Sequence, residues 1–291
     1  QEGDQLLAEL AAGEPEAQVA WRRGERLAAH LVAAQEGPAA EPSQPVQLAQ
    51  PRRGLLDDLA VLPAERRPPG PGEVEIRVHA AGLNFRDVLK ALDQYPWDLG
   101  PLGDECAGEV VAVGEGVSGL AVGQRVLAIA PGALRSHAVG RAELVAALPA
   151  GMSYAEGASI PIAFVTAAYT LEEVGRLQAG ERVLIHAAAG GVGLAAVQIA
   201  QRLGAEVIAT AGSEKKRDYL RSLGVAHVFD SRTLAFAGQI KELTGGRGVD
   251  LVLNSLAGDF IAASLSLLAP GGRFVEIGKS GLLTPEQAAA L

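Results

Sequence analysis

The stretch from Arg182 to Ala211, RVLIHAAAGGVGLAAVQIAQRLGAEVIATA, predicts a strand, a glycine-rich turn, a helix and a second strand. It opens with the short apolar run Val183–Ile185, which is typical of a buried parallel strand. From Val192 onward the apolar residues recur at helical spacing. Residues 206–210 then form a second apolar run, so the whole stretch predicts one β-α-β unit.

The turn in this unit has the glycine content of an anion-binding site. The first N–H groups of a helix lack partners and lie at the positive end of its dipole, and glycines let a pyrophosphate approach them. The pattern is A-x-G-x-x-G, starting at Ala188, and it follows a strand and opens a helix. We therefore expect a dinucleotide on the turn, at Ala189, Gly190, Gly191, Val192 and Gly193. The alternative is a close-packed corner that binds nothing.

Composition limits the classes of function. The chain has 291 residues, enough for one large or two medium domains. Its formal net charge of −9 argues against broad nucleic-acid binding, and no apolar run is long enough to span a membrane. The single cysteine, Cys106, excludes a disulfide within the chain and a cysteine-rich zinc site. We expect a cytoplasmic protein with no nucleic-acid or membrane partner, and a sequence excised from a longer chain.

Composition also divides the part of the chain that precedes the turn. Residues 34–53 are rich in proline, alanine and glutamine and predict a linker, so residues 1–33 are expected to belong to a neighbouring module. In that module VAWRRGERLAAHLV predicts either two short strands around Arg23 and Gly24 or a basic amphipathic helix. Residues 54–165 alternate apolar and polar residues between Pro and Gly, which predicts a β-rich domain. Helices are predicted at 85–92, at 154–159 with Ser153 as N-cap, and at 161–174.

Strands and helices alternate in the domain predicted over residues 166–291. The predicted strands are 182–187, 206–211, 227–229, 250–254 and 273–277, and the predicted helices are 191–203, 214–223, 235–244 and 258–268. This order predicts an α/β fold with a doubly wound parallel sheet beside the β-rich domain. A full dinucleotide-binding sheet has about six strands, so we expect this one to be incomplete at its C-terminal side.

The end of the second strand predicts which dinucleotide binds. Many NAD-binding domains place an acidic residue there to hold the ribose hydroxyls, and Gly212 and Ser213 stand there instead. Ser213 and Lys216, with Lys215 beside them and Arg232 after the third strand, favour a 2′-phosphate. The prediction is NADPH rather than NADH. The alternative is that the basic residues are only the solvated start of a helix.

Several motifs together carry a family resemblance over residues 46–280. They are GLNFRDVLKAL (82–92), LGDECAGEVVAVGEGV (102–117), SIPIAFVTAAYTL (159–171), VLIHAAAGGVGLAAVQIAQRLGAEVIAT (183–210), GGRGVDLVLNSLAG (245–258) and GGRFVEIGK (271–279). The chain resembles the enoylreductase domains of modular type I polyketide synthases and of animal-type fatty acid synthases. These are zinc-free members of the medium-chain dehydrogenase/reductase superfamily. Residues 13–33 resemble the tail of a preceding ketoreductase-type module.

The resemblance implies a GroES-like substrate domain beside a Rossmann domain. It also implies a reaction, in which NADPH hydride adds to C3 of a trans-2-enoyl thioester and C2 is then protonated. The thioester is carried on acyl carrier protein, with a ketoreductase and other synthase domains as neighbours. Zinc-dependent relatives have Cys and His near the positions of Asn84 and Asp104, so no metal is expected here. A hydrogen-bond donor that stabilises the enolate oxygen replaces the metal.

The resemblance further implies roles for particular residues. Lys279, after the last predicted strand, corresponds to the catalytic lysine, and Tyr95 to a tyrosine associated with the configuration of α-protonation. Each has a structural alternative, as a surface lysine and as a packing tyrosine, and a role for Asp104 is weaker still. The nicotinamide is expected to lie against Asn84, Thr166, Asn254 and Ser255, with its carboxamide at the backbone of Ile277 and Gly278. His137 and His186 are expected to be structural.

Two other functions remain open at this point. One is a stand-alone NADPH-dependent quinone or enone reductase of the same superfamily, which uses the same hydride chemistry. The other is an inactive reductase domain that serves as a scaffold. The predicted linker and ketoreductase-like tail favour the first interpretation over the stand-alone enzyme. The intact turn, Ser213 and Lys216 argue against the scaffold.

Overall fold

The computed structural model describes residues 19–22, 25–28, 44–95, 100–279, 281–284 and 287, and the chain divides into two compact units, Gln1–Ser43 and Gln44–Leu291. In the first unit, β1 (Val19–Arg22) pairs antiparallel with β2 (Glu25–Ala28). Of the two interpretations of this segment, the pair of strands is therefore confirmed, and the amphipathic helix is wrong.

The second unit begins with a strand in the segment that its composition predicts to be a linker. β3 (Val46–Ala49) pairs antiparallel with β4 (Ala60–Pro63), and Ser136 donates its backbone N–H to the Val46 carbonyl at 2.8 Å. The hairpin therefore packs with the β-rich domain, and its first strand lies within the segment 34–53 that was predicted to be a linker. Pro and Gln are compatible with a short, half-buried edge strand, which composition alone does not reveal.

An antiparallel sheet forms the centre of the β-rich domain. Its elements in chain order are β5 (Glu73–Gly82), α1 (Phe85–Ala91), β6 (Glu105–Val113), β7 (Arg125–Ile129), β8 (His137–Arg141) and β9 (Val145–Ala147). The strands lie in the order β8-β5-β6-β7-β9. Val74, Ile76 and Val126 are fully buried in its core, as the alternation along β5 predicts. The helix α1 follows β5 directly and carries residues toward the cavity described below.

Two helices and a π-helical segment connect the two domains. They are α2 (Tyr154–Ala158), α3 (Pro161–Ala168) and the π-helix Tyr169–Val174. Ser153 caps α2 as predicted, since its hydroxyl accepts from the Glu156 N–H at 3.2 Å. The single helix predicted over 161–174 widens at Tyr169, where Thr170 Oγ1 donates to the Thr166 carbonyl at 2.7 Å.

The remaining elements alternate between strand and helix as predicted. They are β10 (Arg182–Ile185), α4 (Gly191–Arg202), β11 (Glu206–Ala211), α5 (Glu214–Ser222), β12 (His227–Asp230), α6 (Ala235–Leu243), β13 (Val249–Asn254), α7 (Asp259–Leu265) and β14 (Leu268–Glu276). The sheet is parallel, in the order β12-β11-β10-β13-β14. The described residues thus supply five strands, and the α/β fold class is confirmed.

The buried strand β10 shows how this sheet is covered on both faces. Val183 and Ile185 pack with α4 on one face, whereas Leu184 packs with Phe236 and Ile240 of α6 on the other. The chain crosses from one side of β10 to the other between β12 and β13, so the strand order reverses there. Ligands bind at such a reversal, at the carboxyl ends of the strands. None of the described helices is both long enough and apolar enough to cross a bilayer.

Candidate functional site

A cavity of about 560 Å³ lies at the carboxyl ends of β10, β13 and β14 and is closed on one side by α1. Phe85 and Leu89 of α1 line it, so residues of both domains contribute to its wall. The structure brings eight of the predicted site residues to this cavity: Gly190, Gly191, Val192, Gly193, Ser255, Ile277, Gly278 and Lys279. Its position at the reversal of strand order is where a doubly wound sheet binds a dinucleotide.

A second cavity of about 310 Å³ adjoins the first, and both are lined by Ala187, Gly190 and Leu256. It brings together four more of the predicted cofactor residues: Ala189, Ser213, Lys216 and Arg232. The main cavity and this second cavity therefore form two ends of one trough over the glycine-rich turn. A dinucleotide has the same layout, with a nicotinamide at one end and an adenosine at the other.

The glycines of the turn have different steric roles. A Cβ on Gly191 would meet nothing within 4 Å, so the first residue of α4 is open to a ligand. A Cβ on Gly193 would lie 2.6 Å from Ala188 Cα, so this glycine lets α4 pack closely against the turn. Ala187, which lines both cavities, has φ of 47°, a conformation that costs a non-glycine residue about 1–2 kcal/mol. The surrounding structure therefore holds Ala187 in a backbone conformation that alanine disfavours.

The chemistry of the trough fits a dinucleotide. The twelve-residue helix α4 presents its N-terminal N–H groups to the cavity. Ser255 Oγ is buried in the cavity wall, and among the described residues it has no hydrogen-bond partner. An unpaired buried hydroxyl costs about 1–3 kcal/mol. A ligand that reaches Ser255 would remove that cost.

The second cavity carries the groups that a 2′-phosphate prefers. Ser213 caps α5 by accepting from the Lys216 N–H at 3.4 Å, and Arg232 lies beside Gly212. A Cβ on Gly212 would lie 2.6 Å from Arg232 Nε, so the guanidinium reaches this place because residue 212 is glycine. Lys216 lines the cavity, whereas the neighbouring Arg217 is paired with Glu214 at 2.6 Å.

Three predicted residues, Asn84, Thr166 and Asn254, are not among the described residues that line either cavity. Asn84 Nδ2 donates to Glu105 at 2.7 Å, and the Thr166 carbonyl accepts from Thr170. Asn254 is fully buried, and its side chain is bonded to Leu256 and Glu276. The side chains of Asn84 and Asn254 are therefore bonded within the protein.

Glu276 is a residue that the sequence analysis missed. Its carboxylate accepts from Asn254 Nδ2 and from the Gly278 N–H, both at 2.6 Å. It therefore ties the end of β13 to the loop that carries Ile277, Gly278 and Lys279. A glutamate two residues before a glycine was visible in the EIGK motif, but its partner in another strand was not.

The two predicted catalytic residues lie in different surroundings. Lys279 lines the main cavity and is exposed. Tyr95 is not among the described lining residues, although the preceding Gln94 is. Burial lowers the pKa of the Arg86 guanidinium, but Asp104 raises it, with a smaller contribution from Tyr95, and the net pKa is raised. Tyr95 therefore interacts electrostatically with Arg86.

Ion pairs surround Asp104, one of the two positions where the family resemblance places the ligands of zinc-dependent relatives. Asp104 is buried and pairs with Arg86 at 2.6 Å and with the buried Lys90 at 3.6 Å. Burial raises the pKa of the adjacent Cys106 thiol to about 12, so this thiol stays protonated near neutral pH. The described residues contain no group of three or more His, Cys, Asp or Glu placed to hold a metal.

His186 lies between β10 and the glycine-rich turn and is buried. Its Nδ1 is 2.9 Å from Thr210 Oγ1, and its Nε2 is 2.8 Å from Ser264 Oγ. The Phe236 ring meets it edge-on at 5.2 Å. These three contacting side chains are uncharged, and burial lowers the pKa of His186 from 6.5 to about 4.

This lowered pKa predicts a loss of stability in mild acid. As the pH falls, His186 takes up a proton in the unfolded chain before it does so in the folded protein. The contribution of neutral His186 to stability is therefore complete above pH 6.5 and is lost as the pH falls toward 4. We expect a decrease of up to ~3 kcal/mol in the free energy of unfolding across that range. Urea unfolding at several pH values measures it, and His186→Asn should flatten the curve between pH 4.5 and 6.5. Equal slopes for both proteins would contradict the prediction.

Comparisons with known proteins match both domains. The family model described as alcohol dehydrogenase GroES-like domain matches residues 70–172, and the one described as zinc-binding dehydrogenase matches residues 191–289. The pikromycin polyketide synthase component PikAII of Streptomyces venezuelae is 45% identical over 310 residues. That match covers 99% of this chain and 8% of the synthase component, so the chain spans only a small part of that relative.

A mycobacterial relative also matches nearly all of this chain over a small part of its own length. The mycocerosic acid synthase-like polyketide synthase of Mycolicibacterium smegmatis is 45% identical over 285 residues, which cover 94% of this chain and 14% of that synthase. Both relatives are thus several times longer than this chain and match nearly all of it.

Solved structures match the same region. The CurK enoyl reductase is 49% identical, with a TM-score of 0.81, over 85% of this chain and 78% of that chain. Mycobacterial Rv1454c, complexed with NADPH, is 34% identical, with a TM-score of 0.77, over 84% of this chain and 78% of that chain.

Proposed function

Because this chain belongs to the enoyl reductases of polyketide synthases, within the medium-chain dehydrogenase/reductase superfamily, we propose that it reduces a trans-2-enoyl thioester with NADPH. The thioester is carried on acyl carrier protein in the cytoplasm, and a ketoreductase and other synthase domains are the neighbours. The observation that carries the proposal is the main cavity, in which the turn, Ser255 and Lys279 line one space. The domain boundaries proposed with it are the linker before residue 46, the substrate domain up to 165 and the NADPH-binding domain after it.

Each end of the trough has a proposed role in binding NADPH. The N–H groups of the turn, from Ala189 to Gly193, bind the pyrophosphate. Ser213, Lys216 and Arg232 bind the 2′-phosphate, and Ser255 donates to the nicotinamide end. When bound, NADPH supplies the hydride that adds to C3 of the enoyl group. The apolar side chains of Phe85 and Leu89 line the substrate side of the cavity.

Proton transfer to the substrate is the proposed task of Lys279. Addition of the hydride to C3 converts the enoyl thioester to an enolate. C2 of this enolate must then take up one proton to give the saturated product. An ammonium has three N–H donors and can both stabilise the enolate oxygen and deliver that proton. Tyr95 is the second proposed donor, and its hydroxyl sets the face of C2 that is protonated.

Replacing Lys279 tests this assignment. We expect Lys279→Ala to slow the reduction of crotonyl-pantetheine about 100-fold, because general acid catalysis contributes about 10²–10⁴-fold. NADPH oxidation gives the rate, and mass spectrometry checks that the product has gained two hydrogens.

Replacing Tyr95 tests the second assignment. With an α-methyl substrate, Tyr95→Phe should change the configuration at C2 of the product.

Lys241→Ala, which alters an exposed lysine of α6, serves as the control and should keep the full rate. Wild-type protein that binds NADPH but reduces only quinones or enones would support the stand-alone reductase instead. Wild-type protein that does not bind NADPH would support the scaffold. If Lys279→Ala and Tyr95→Phe both keep rate and configuration, their proposed roles are wrong.

A further inference from the structure

The structure assigns His186 as a positioning residue that holds the glycine-rich turn in its binding shape, as a neutral ring protonated at Nε2. The inference rests on the proposed function in one respect, since the binding shape is that for NADPH. His186 lies directly before Ala187, the residue with positive φ that lines both cavities. The proposed reaction does not use this ring as an acid or a base.

The hydrogen bonds around the ring determine which nitrogen carries the proton. Ser264 Oγ lies 2.6 Å from the Phe260 carbonyl, which can only accept, so the single Ser264 hydroxyl hydrogen is used there. Ser264 Oγ must then accept from His186, so Nε2 carries the hydrogen. In the neutral ring Nδ1 has none, and it accepts from the Thr210 hydroxyl.

The same residue joins three elements, two through its ring and one through its backbone. Through Thr210 it is bonded to β11, and through Ser264 to α7, while its own backbone N–H donates to the Leu253 carbonyl of β13 at 3.1 Å. Two residues later, the Ala188 N–H donates to the Thr210 carbonyl at 3.0 Å. The chain therefore enters the turn fixed to the strands on both sides of β10.

The position of Ala187 explains why the ring affects binding. The Ala187 carbonyl accepts from the Gly190 N–H at 2.8 Å, and this bond closes the turn just before α4 begins. Because Ala187 holds a backbone conformation that alanine disfavours, removal of the preceding anchor lets it relax toward negative φ. Relaxation moves the Ala187 carbonyl and with it the N–H groups that face the ligand.

Three substitutions separate the two hydrogen bonds of the ring. His186→Leu removes both, His186→Asn keeps an acceptor near the Nδ1 position for Thr210, and His186→Gln keeps a donor near the Nε2 position for Ser264. The dissociation constant of NADPH is measured by calorimetry at a temperature where circular dichroism shows each variant fully folded. We expect His186→Leu to raise it at least tenfold and His186→Asn and His186→Gln to recover part of the loss. His227→Leu, a change in β12 of the same sheet, is the control and should leave it within twofold.

The protonation state has its own readout, which does not depend on NADPH. The chain has five histidines, so ¹⁵N labelling of histidine and comparison with His186→Gln identify the signals of residue 186. We expect a protonated Nε2 and an unprotonated Nδ1 at pH 7. A ring protonated at Nδ1 would overturn the inference.

The binding data can also overturn it. If the folded His186 variants all bind NADPH within twofold of wild type and only unfold more easily, the ring is merely structural. Should His186→Leu not fold, the values for His186→Asn and His186→Gln decide in the same way. Wild-type protein that fails to bind NADPH contradicts the proposed function and the positioning role, whereas unaffected binding in the variants contradicts the positioning role alone.

Discussion

Replacing both Lys216 and Arg232 with alanine should weaken NADPH binding about 100-fold and leave NADH binding within threefold. Both side chains line the second cavity, where the 2′-phosphate is proposed to bind. Hydrogen bonds to charged groups contribute about 1.5–3 kcal/mol each, and the lower value applies because both residues are exposed. NADH lacks this phosphate, so its affinity does not depend on the two cations.

The matched control is Arg141→Ala with Lys241→Ala, which removes the same charge from one exposed arginine and one exposed lysine outside the second cavity. We expect this double variant to bind NADPH like wild type at 0.15 M salt, where distant exposed charges are largely screened. Fluorescence titration gives all the dissociation constants. Equal losses for NADPH and NADH, or an equal loss in the control, would place the 2′-phosphate elsewhere.

The second large effect concerns folding, at the buried ion pair of Asp104 and Lys90. Asp104→Asn should lower the free energy of unfolding by about 3 kcal/mol, because it leaves the buried Lys90 ammonium without its counter-charge. The Lys90 side chain is only 5% exposed, so water does not replace the lost carboxylate. Adding Lys90→Met to Asp104→Asn should recover part of the loss, since no unpaired charge then remains.

An exposed ion pair provides the comparison. Asp218 and Arg221 of α5 pair at 2.6 Å, with side chains 64% and 44% exposed. Asp218→Asn should cost less than about 1 kcal/mol, as surface pairs usually do. Urea unfolding at pH 7 measures both. Similar small losses for Asp104→Asn and Asp218→Asn would mean that the buried network adds no more than a surface pair.

Local patterns were sufficient to predict most of the fold. The apolar run at 183–185, the glycines after it and the helical spacing from Val192 lie within one short stretch, and the structure forms them as β10, the turn and α4. The alternation of strands and helices predicted that the strands of this sheet run parallel. The hairpin of β3 and β4 was not predicted, because each strand has only four residues, too few for a periodic pattern, and β3 depends on a partner elsewhere in the chain.

The candidate site could be predicted only in part, for a related reason. Backbone groups that bind a ligand lie within a motif, whereas side-chain networks join residues that are distant in sequence. His186 and Ser264 are 78 positions apart, and Asn254 and Glu276 are 22 apart. Asn254 was therefore expected at the nicotinamide, whereas its amide is used within the protein. The contact of Arg232 with Gly212 also joins residues that are distant in sequence. It explains why residue 212 is a glycine, which the sequence alone did not.

The three residues shared by the two cavities, Ala187, Gly190 and Leu256, have a consequence for engineering. A substitution that changes cofactor preference at the phosphate end acts on a wall that also faces the reacting end. The two properties are then thermodynamically coupled, and changes at neighbouring sites of this kind are not additive. Cofactor preference and turnover therefore have to be selected together, with both properties measured for each variant, rather than optimised one after the other.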